Sequence, residues 1–441
     1  MSPIRFILLP FVATAILAQV PERPRTFAIR DARIVPVSGP EIAHGVLVVR
    51  DGLITAVDAS AEIPDDAWVI EGAGLTVFPG FIDGLSTLGM PDAKKFPPVY
   101  GKRPASGPED RPATSTWALG VDHFSADSEQ IATWRNGGFA AVAVAPRQGI
   151  LPGQISILNL GREPAARAVL PKAALLIQLP PERSRENGFP SSLFGEISYV
   201  KQIFLDARQY QQARVIYEQD ARGLERPGYD RALEPVIETI ESKGALLYPG
   251  NSAVELRRAV ALTESLTEHR IIYGAQQAYQ GSIARELAAA SVGVLVDLSW
   301  PEAPKDPDPQ AETPLRVLRL RDRAPSSPAA LAKDGVPFGF YAAKAKGPAD
   351  LMNGLRKALE AGLSRESAIE ALTLAPARIY GVADRLGSLE PGKIANLAVY
   401  RGDPFEEESR PLIVFVDGEK FDVPEAPEKP EKEQEGNADE S

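Results

Sequence analysis

From Phe27 onward the chain reads as strand. Phe27, Ile29 and Asp31 alternate with Ala28 and Arg30, and Ile34 and Val35 continue the apolar signal toward Val37. Two apolar runs, 45–49 and 53–57, flank Asp51-Gly52. A two-residue Asp-Gly link between such runs predicts a tight hairpin, because both positions favour positive φ. Near the other end residues 412–416 lead into Asp417-Gly418 and a further short run, 419–421, which predicts a second hairpin of the same kind. Strand-rich segments therefore bracket the chain.

Between them the pattern changes. Short apolar runs at 76–82, 140–144, 173–179, 245–248, 271–273, 292–298 and 336–341 read as seven buried strands, with helical stretches after several of them. Ser252-Ala253-Val254-Glu255 has the form of a capping box, and Leu256, Ala259, Val260 and Thr263 then keep helical spacing. Strands alternating with helices predict a parallel sheet. The eighth strand such a sheet needs to close falls somewhere between Pro180 and Leu246. Residues 91–126, rich in Pro, Gly, Ser and charge, read as a long loop leaving the first strand toward the barrel mouth. Gly137-Gly138 and the Gly149-to-Gly153 segment read as tight turns around the second strand. Residues 424–441 carry almost nothing apolar and are expected to be disordered and solvated.

Composition narrows the chemistry. The 441 residues include no Cys, which excludes disulfides, thiolate chemistry and Cys-ligated metal. The formal net charge of -11 argues against a nucleic-acid partner. At the N-terminus Arg5 precedes a mostly apolar run, 6–17, with small residues at Ala13, Ala15 and Ala18. That run is short of the roughly 20 residues that span a bilayer, and it reads as a secretory signal peptide. An uncleaved anchor is the alternative. The expected location is periplasmic or secreted, with no membrane span in the mature chain.

Three motifs carry a family resemblance. Gly74-Leu-Thr-Val-Phe-Pro-Gly-Phe-Ile-Asp83 resembles the approach to the barrel in the amidohydrolase superfamily, especially its imidazolonepropionase-like members. Ala371-Leu-Thr-Leu-Ala-Pro-Ala-Arg-Ile-Tyr-Gly381 resembles that family's last barrel helix. Leu386-Gly-Ser-Leu-Glu-Pro-Gly-Lys-Ile-Ala-Asn-Leu397 resembles its return into a β-sandwich. The resemblance implies a (β/α)8 TIM-like barrel plus a small composite β-sandwich built from both chain ends. The implied divisions are signal peptide 1–18, sandwich 19–79, barrel 80–385, sandwich 386–423 and acidic tail 424–441.

The same resemblance implies a divalent metal, typically zinc, which activates water for attack on a carbonyl. The family's metal ligands are not found at the matching places. Leu85 and Thr87 stand where it has His-x-His, Pro249 and Tyr273 where the fifth and sixth strands end in His, and Ala342 or Ala343 where the eighth has Asp. The three histidines, His44, His123 and His269, are spread along the chain, and only His123 lies in the mouth loop. An oxygen-only site using Asp83, Asp297 and loop carboxylates for magnesium or calcium remains an alternative. No cofactor is therefore expected, and no catalytic residue is assigned.

Thr87, Asn251, Tyr273, Asp297, Tyr341 and Lys344, with Ser86 and Gln276 beside them, are the candidates for a ligand-binding mouth. They either solvate the rim of a retired site or bind a small polar ligand. Tyr273 has a ring able to fill the metal's space, and Lys344 with Tyr341 would allow metal-free proton transfer. The expected function is a non-catalytic, ligand-binding or subunit homologue, partnered as a homo-oligomer or with an intact amidohydrolase paralogue. The alternative is an active hydrolase of carbon–nitrogen bonds (cyclic amides or dipeptide-like substrates) with a relocated metal or a metal-free site.

Overall fold

Gly80 divides what the sequence presents as a single apolar run. The computed structural model places β5 (Thr76–Pro79) in one sheet and β6 (Phe81–Ser86) in another. A Cβ on Gly80 would run into the Ala140 side chain, so the crossing point between the two sheets is built around a residue without one. The structure describes residues 25–91, 111, 113–162, 168–179, 190, 192–241, 244–304, 312–407 and 409–425. The expected signal peptide and nearly all of the expected tail lie outside them.

The first sheet joins both ends of the chain. It contains β1 (Thr26–Ile34), β2 (Ile42–Arg50), β3 (Leu53–Asp58), β4 (Trp68–Glu71) and β5, together with the late strands β14 (Leu397–Tyr400), β15 (Pro411–Val416) and β16 (Glu419–Asp422). β14 pairs with β5, with Val77 opposite Val399. Phe27 meets Phe415 edge-on at 5.2 Å. Both expected hairpins are present, and their turn residues take the left-handed conformation the pattern required: Asp51 and Gly52 at φ 49° and 87°, Asp417 and Gly418 at 55° and 73°.

The second sheet is a nearly closed barrel in the order β13-β12-β11-β10-β9-β8-β7-β6. Its remaining strands are β7 (Phe139–Val144), β8 (Gly153–Asn159), β9 (Ala168–Leu176), β10 (Ala245–Gly250), β11 (Arg270–Gly274), β12 (Gly293–Asp297) and β13 (Phe338–Tyr341). At the seam β13 packs against β6. Gly84 permits this approach, since a Cβ there would stand 2.9 Å from the Phe340 carbonyl oxygen. The interior is filled by Ile82, Ala141, Ile157, Leu176, Leu247 and Leu295, so the barrel is a packed core.

Two expectations are corrected here. The eighth strand does not lie between Pro180 and Leu246. It is β8, which comes before β9 and starts at Gly153, where the sequence suggested only a turn. The described residues between 192 and 241 hold instead the helices Leu193–Gln219 and Glu234–Glu241. The barrel is also not uniformly parallel. β8 pairs antiparallel with both β7 and β9, and the other neighbouring ladders are parallel. A hairpin-connected strand needs no crossover helix, so the strand–helix rhythm used to count strands could not reveal it.

The mouth loop does more than overhang. Residues 113–121 lie along the first part of β8, with the Ser115 N–H on Leu151 O and the Gln154 N–H on Ala118 O. Gly120 sits directly against the Val144 carbonyl at the end of β7. Arg111 anchors this wedge through Asp206 and Asp230, at 3.1 and 3.0 Å, and Arg231 stacks on Trp117 at 3.9 Å.

Candidate functional site at the barrel mouth

Strand register decides which side chains meet at the mouth. Pro249, Tyr273 and Leu295 share one row, and Asp297 stands opposite Tyr341 one level further out. The Tyr273 hydroxyl donates to Ile177 O at 3.0 Å, reaching over β10 to the residue just beyond β9. The Tyr341 ring lies edge-on to it at 6.3 Å. Burial raises the pKa of both phenols above the usual tyrosine range, so both stay protonated. From the other side the Tyr380 hydroxyl donates to Gly84 O at 2.6 Å.

Asp83 is buried in β6 among these phenols. Desolvation pushes its carboxyl up to about 7, against the opposing hydrogen bonds from Ser86 and the Leu85 N–H, and the Asp297 charge adds to the rise. Asp297 turns the other way. Its Oδ1 accepts the N–H groups of Ser299 at 2.9 Å and Ala343 at 3.1 Å. Gln276 is consumed by structure, donating to Asp297 O and Ser299 O at 3.1 and 3.0 Å, and its own N–H donates to Asn251 Oδ1 at 3.0 Å. Lys344 is exposed, and its N–H donates to Ser299 Oγ. Among the described residues no hydrogen bond joins Lys344 to the buried Tyr341.

The six candidate ligand-binding residues are therefore not gathered into one pocket. Tyr273 and Tyr341 plug the barrel, Asn251 and Asp297 brace loops, and Lys344 points outward. Thr87 alone borders an open cleft, of about 520 Å³, between the end of β6, the helix Ser128–Asn136 and the turn after β13. His123, Ser125, Gln130 and Lys346 line it too. Of these the sequence reading singled out only His123. Gln130 had a legible signal, because Asp127-x-x-Gln130 is a capping box, and the box is formed. Attention to strand ends passed over it.

The donor set does not fit a divalent metal centre. Zinc requires several N, O or S donors at about 2.0–2.3 Å. The matching strand-end positions offer Leu85 and a lone Thr87 hydroxyl, Pro249, and Ala342 or Ala343, with the Tyr273 hydroxyl already bonded to a carbonyl. His44 pairs with Asp31 on the sandwich, and His269 lies before β11 at the far end of the barrel, bonded to the Ile379 backbone. Among the described residues no three His, Asp or Glu side chains converge, and the same holds for an oxygen-only site at Asp83 and Asp297.

An eight-stranded barrel carrying a sandwich made from both chain ends defines the class. Residues 223–421 match the amidohydrolase family. The architecture is similar to an amidohydrolase from Thermotoga maritima MSB8, with 23% identity, a TM-score of 0.73, and coverage of 90% of this chain and 100% of that one. It is also similar to molinate hydrolase (15% identity, TM-score 0.55, 91% of this chain and 95% of that one). A third likeness is to a prolidase solved with N-methylphosphonate-L-proline (16% identity, TM-score 0.54, 90% and 99%). A search of curated proteins found no match. These findings identify the amidohydrolase superfamily as the one this chain resembles, in sequence over its second half and in fold throughout. At these identities the solved structures speak for the fold alone.

Proposed function

We propose that this chain is a non-catalytic amidohydrolase-fold protein, acting as a ligand-binding or structural subunit beside an intact paralogue. The observation that carries the reading is the Tyr273–Ile177 bond. The position matching a family ligand holds a part-buried phenol that is protonated and already partnered, and of the other matching positions only Thr87 has a side-chain donor atom. Export to the periplasm or medium belongs to the same proposal and rests on the apolar run 6–17. Among the described residues no helix is long and apolar enough to cross a membrane.

The test is metal content by plasma mass spectrometry on protein dialysed without chelator, run beside hydrolysis assays on amide, lactam and dipeptide libraries. The expected result is below about a tenth of an equivalent of any transition metal, a small fraction of the full equivalent a structural or catalytic site would hold, with no turnover above buffer. Near one equivalent of metal, or chelator-sensitive turnover, sinks the proposal. Turnover insensitive to chelator would favour the competing reading, a metal-free hydrolase of carbon–nitrogen bonds, with Asp83 the first residue to replace. N-terminal sequencing of exported protein checks the signal peptide.

A further inference from the structure

The cleft beside Thr87 differs in chemistry from the rest of the molecule. The chain has 59 acidic residues against 48 Lys and Arg, yet among the described residues no carboxylate lines this cleft. Each of its polar side chains can donate a hydrogen bond. Lys346 contributes an ammonium and His123 an imidazole, and among the described residues neither is engaged by an acid. Gln130 Oε1 accepts the Asp127 N–H at 3.2 Å as part of the capping box, which leaves its Nε2 to donate. Ser125 and Thr87 add hydroxyls. Leu88, Met90 and Trp134 supply apolar surface.

The walls are held by specific packing. Gly89, at φ 63°, lets the strip 124–126 lie directly on the end of β6, since a Cβ there would stand 2.7 Å from the Ala126 nitrogen. The Ser125 N–H then closes onto Gly89 O at 2.8 Å. Gln130, Thr133 and Trp134 come from one face of a single helix, at i, i+3 and i+4. A cavity of this size suits a small organic molecule and is oversized for a bare inorganic anion.

We propose that this cleft binds a small organic carboxylate with an apolar body, its charge held by Lys346, His123 and the Gln130 amide and its body against Leu88, Met90 and Trp134. Of the strand-end positions discussed above the site uses only Thr87, whose hydroxyl is not needed to hold the charge, so it stands or falls separately from the non-catalytic reading.

The test is ¹⁹F NMR titration of the full chain with 4-fluorobenzoate and with its neutral isostere 4-fluorobenzamide. The expected result is saturable binding of the acid and at least tenfold weaker binding of the amide. Lys346→Met and His123→Gln should each weaken the acid at least fivefold. Gln130→Glu keeps the capping box but places a carboxylate in the cleft, and it should abolish binding. Melting curves confirm that each variant is folded. Equal binding of acid and amide overturns the proposal, as does an absence of saturable binding or acid binding indifferent to all three substitutions. Displacement by inorganic phosphate at equal affinity would also overturn it, by showing a plain anion site.

Discussion

The two halves of the barrel are built differently. From β10 to β13 the strands are parallel, separated by helices, and lie within the stretch that matches the amidohydrolase family. From β6 to β9 a reversed strand replaces a strand–helix unit, and a wedge of loop, residues 113–121, is stitched along it. The regular half carries most of the match to the amidohydrolase family, with Pro249 and Tyr273 in one row near its strand ends. The irregular half supplies most of the one open cleft described at the mouth. The family-matching scaffold and the open cleft thus lie largely in different halves, and a fold by itself does not dictate a function.

The largest effect that would separate the halves comes from glycine. Gly120 has no room for a Cβ against the Val144 carbonyl, so Gly120→Ala should cost more than about 4 kcal/mol or prevent folding. Gly335, in the regular half, has positive φ but open space around it, and Gly335→Ala should cost only about 1 kcal/mol. Equal costs in urea unfolding would show that the wedge is not a packed part of the barrel.

A second effect, at most about 4 kcal/mol, concerns Asp83 at the seam between the halves. Its folded pKa, about 7, lies above the ordinary carboxyl value of 3.8, so the folded state holds the proton more tightly than the unfolded chain. Stability should therefore decline as pH rises from about 4 to about 7 and then level off. Asp83→Asn should remove that decline, and parallel stability–pH curves for the two proteins would refute the assignment. The smallest effect is at Tyr273, whose hydroxyl ties the regular half to Ile177 beyond β9. Tyr273→Phe strands that carbonyl and should lower stability by about 1–2 kcal/mol in denaturant unfolding.

Much of the fold was legible because it rests on local rules. Asp51-Gly52 and Asp417-Gly418 mark hairpins through φ alone, and Ser252-x-x-Glu255 marks a helix start through hydrogen-bond satisfaction. β8 was not legible. It is buried throughout, reads as a short run after a glycine, and has its direction set by two partners rather than by its own residues. At the site, residue identity alone says that Leu85 and Pro249 have no side-chain donor in any conformation. Which polar groups would gather could not be read. Gln276 and Asp297 look like rim residues in sequence, but they are spent on backbone groups at and just beyond the ends of β12 and β13. Lys346 and Gln130 are 216 positions apart in the numbering and meet only because β13 closes beside β6.

The pairing of β5 with β14 has a consequence for how the protein is made. Thr76–Pro79 leaves the ribosome more than 300 residues before its partner, Leu397–Tyr400. Throughout that interval β5 has an unsatisfied edge, with Val77 and Phe78 next to it. A chain cut short anywhere before β14 keeps that edge for good, so truncated products should aggregate even when they contain every barrel strand. The late strand β14 thus acts as a completion check on β5, made near the start.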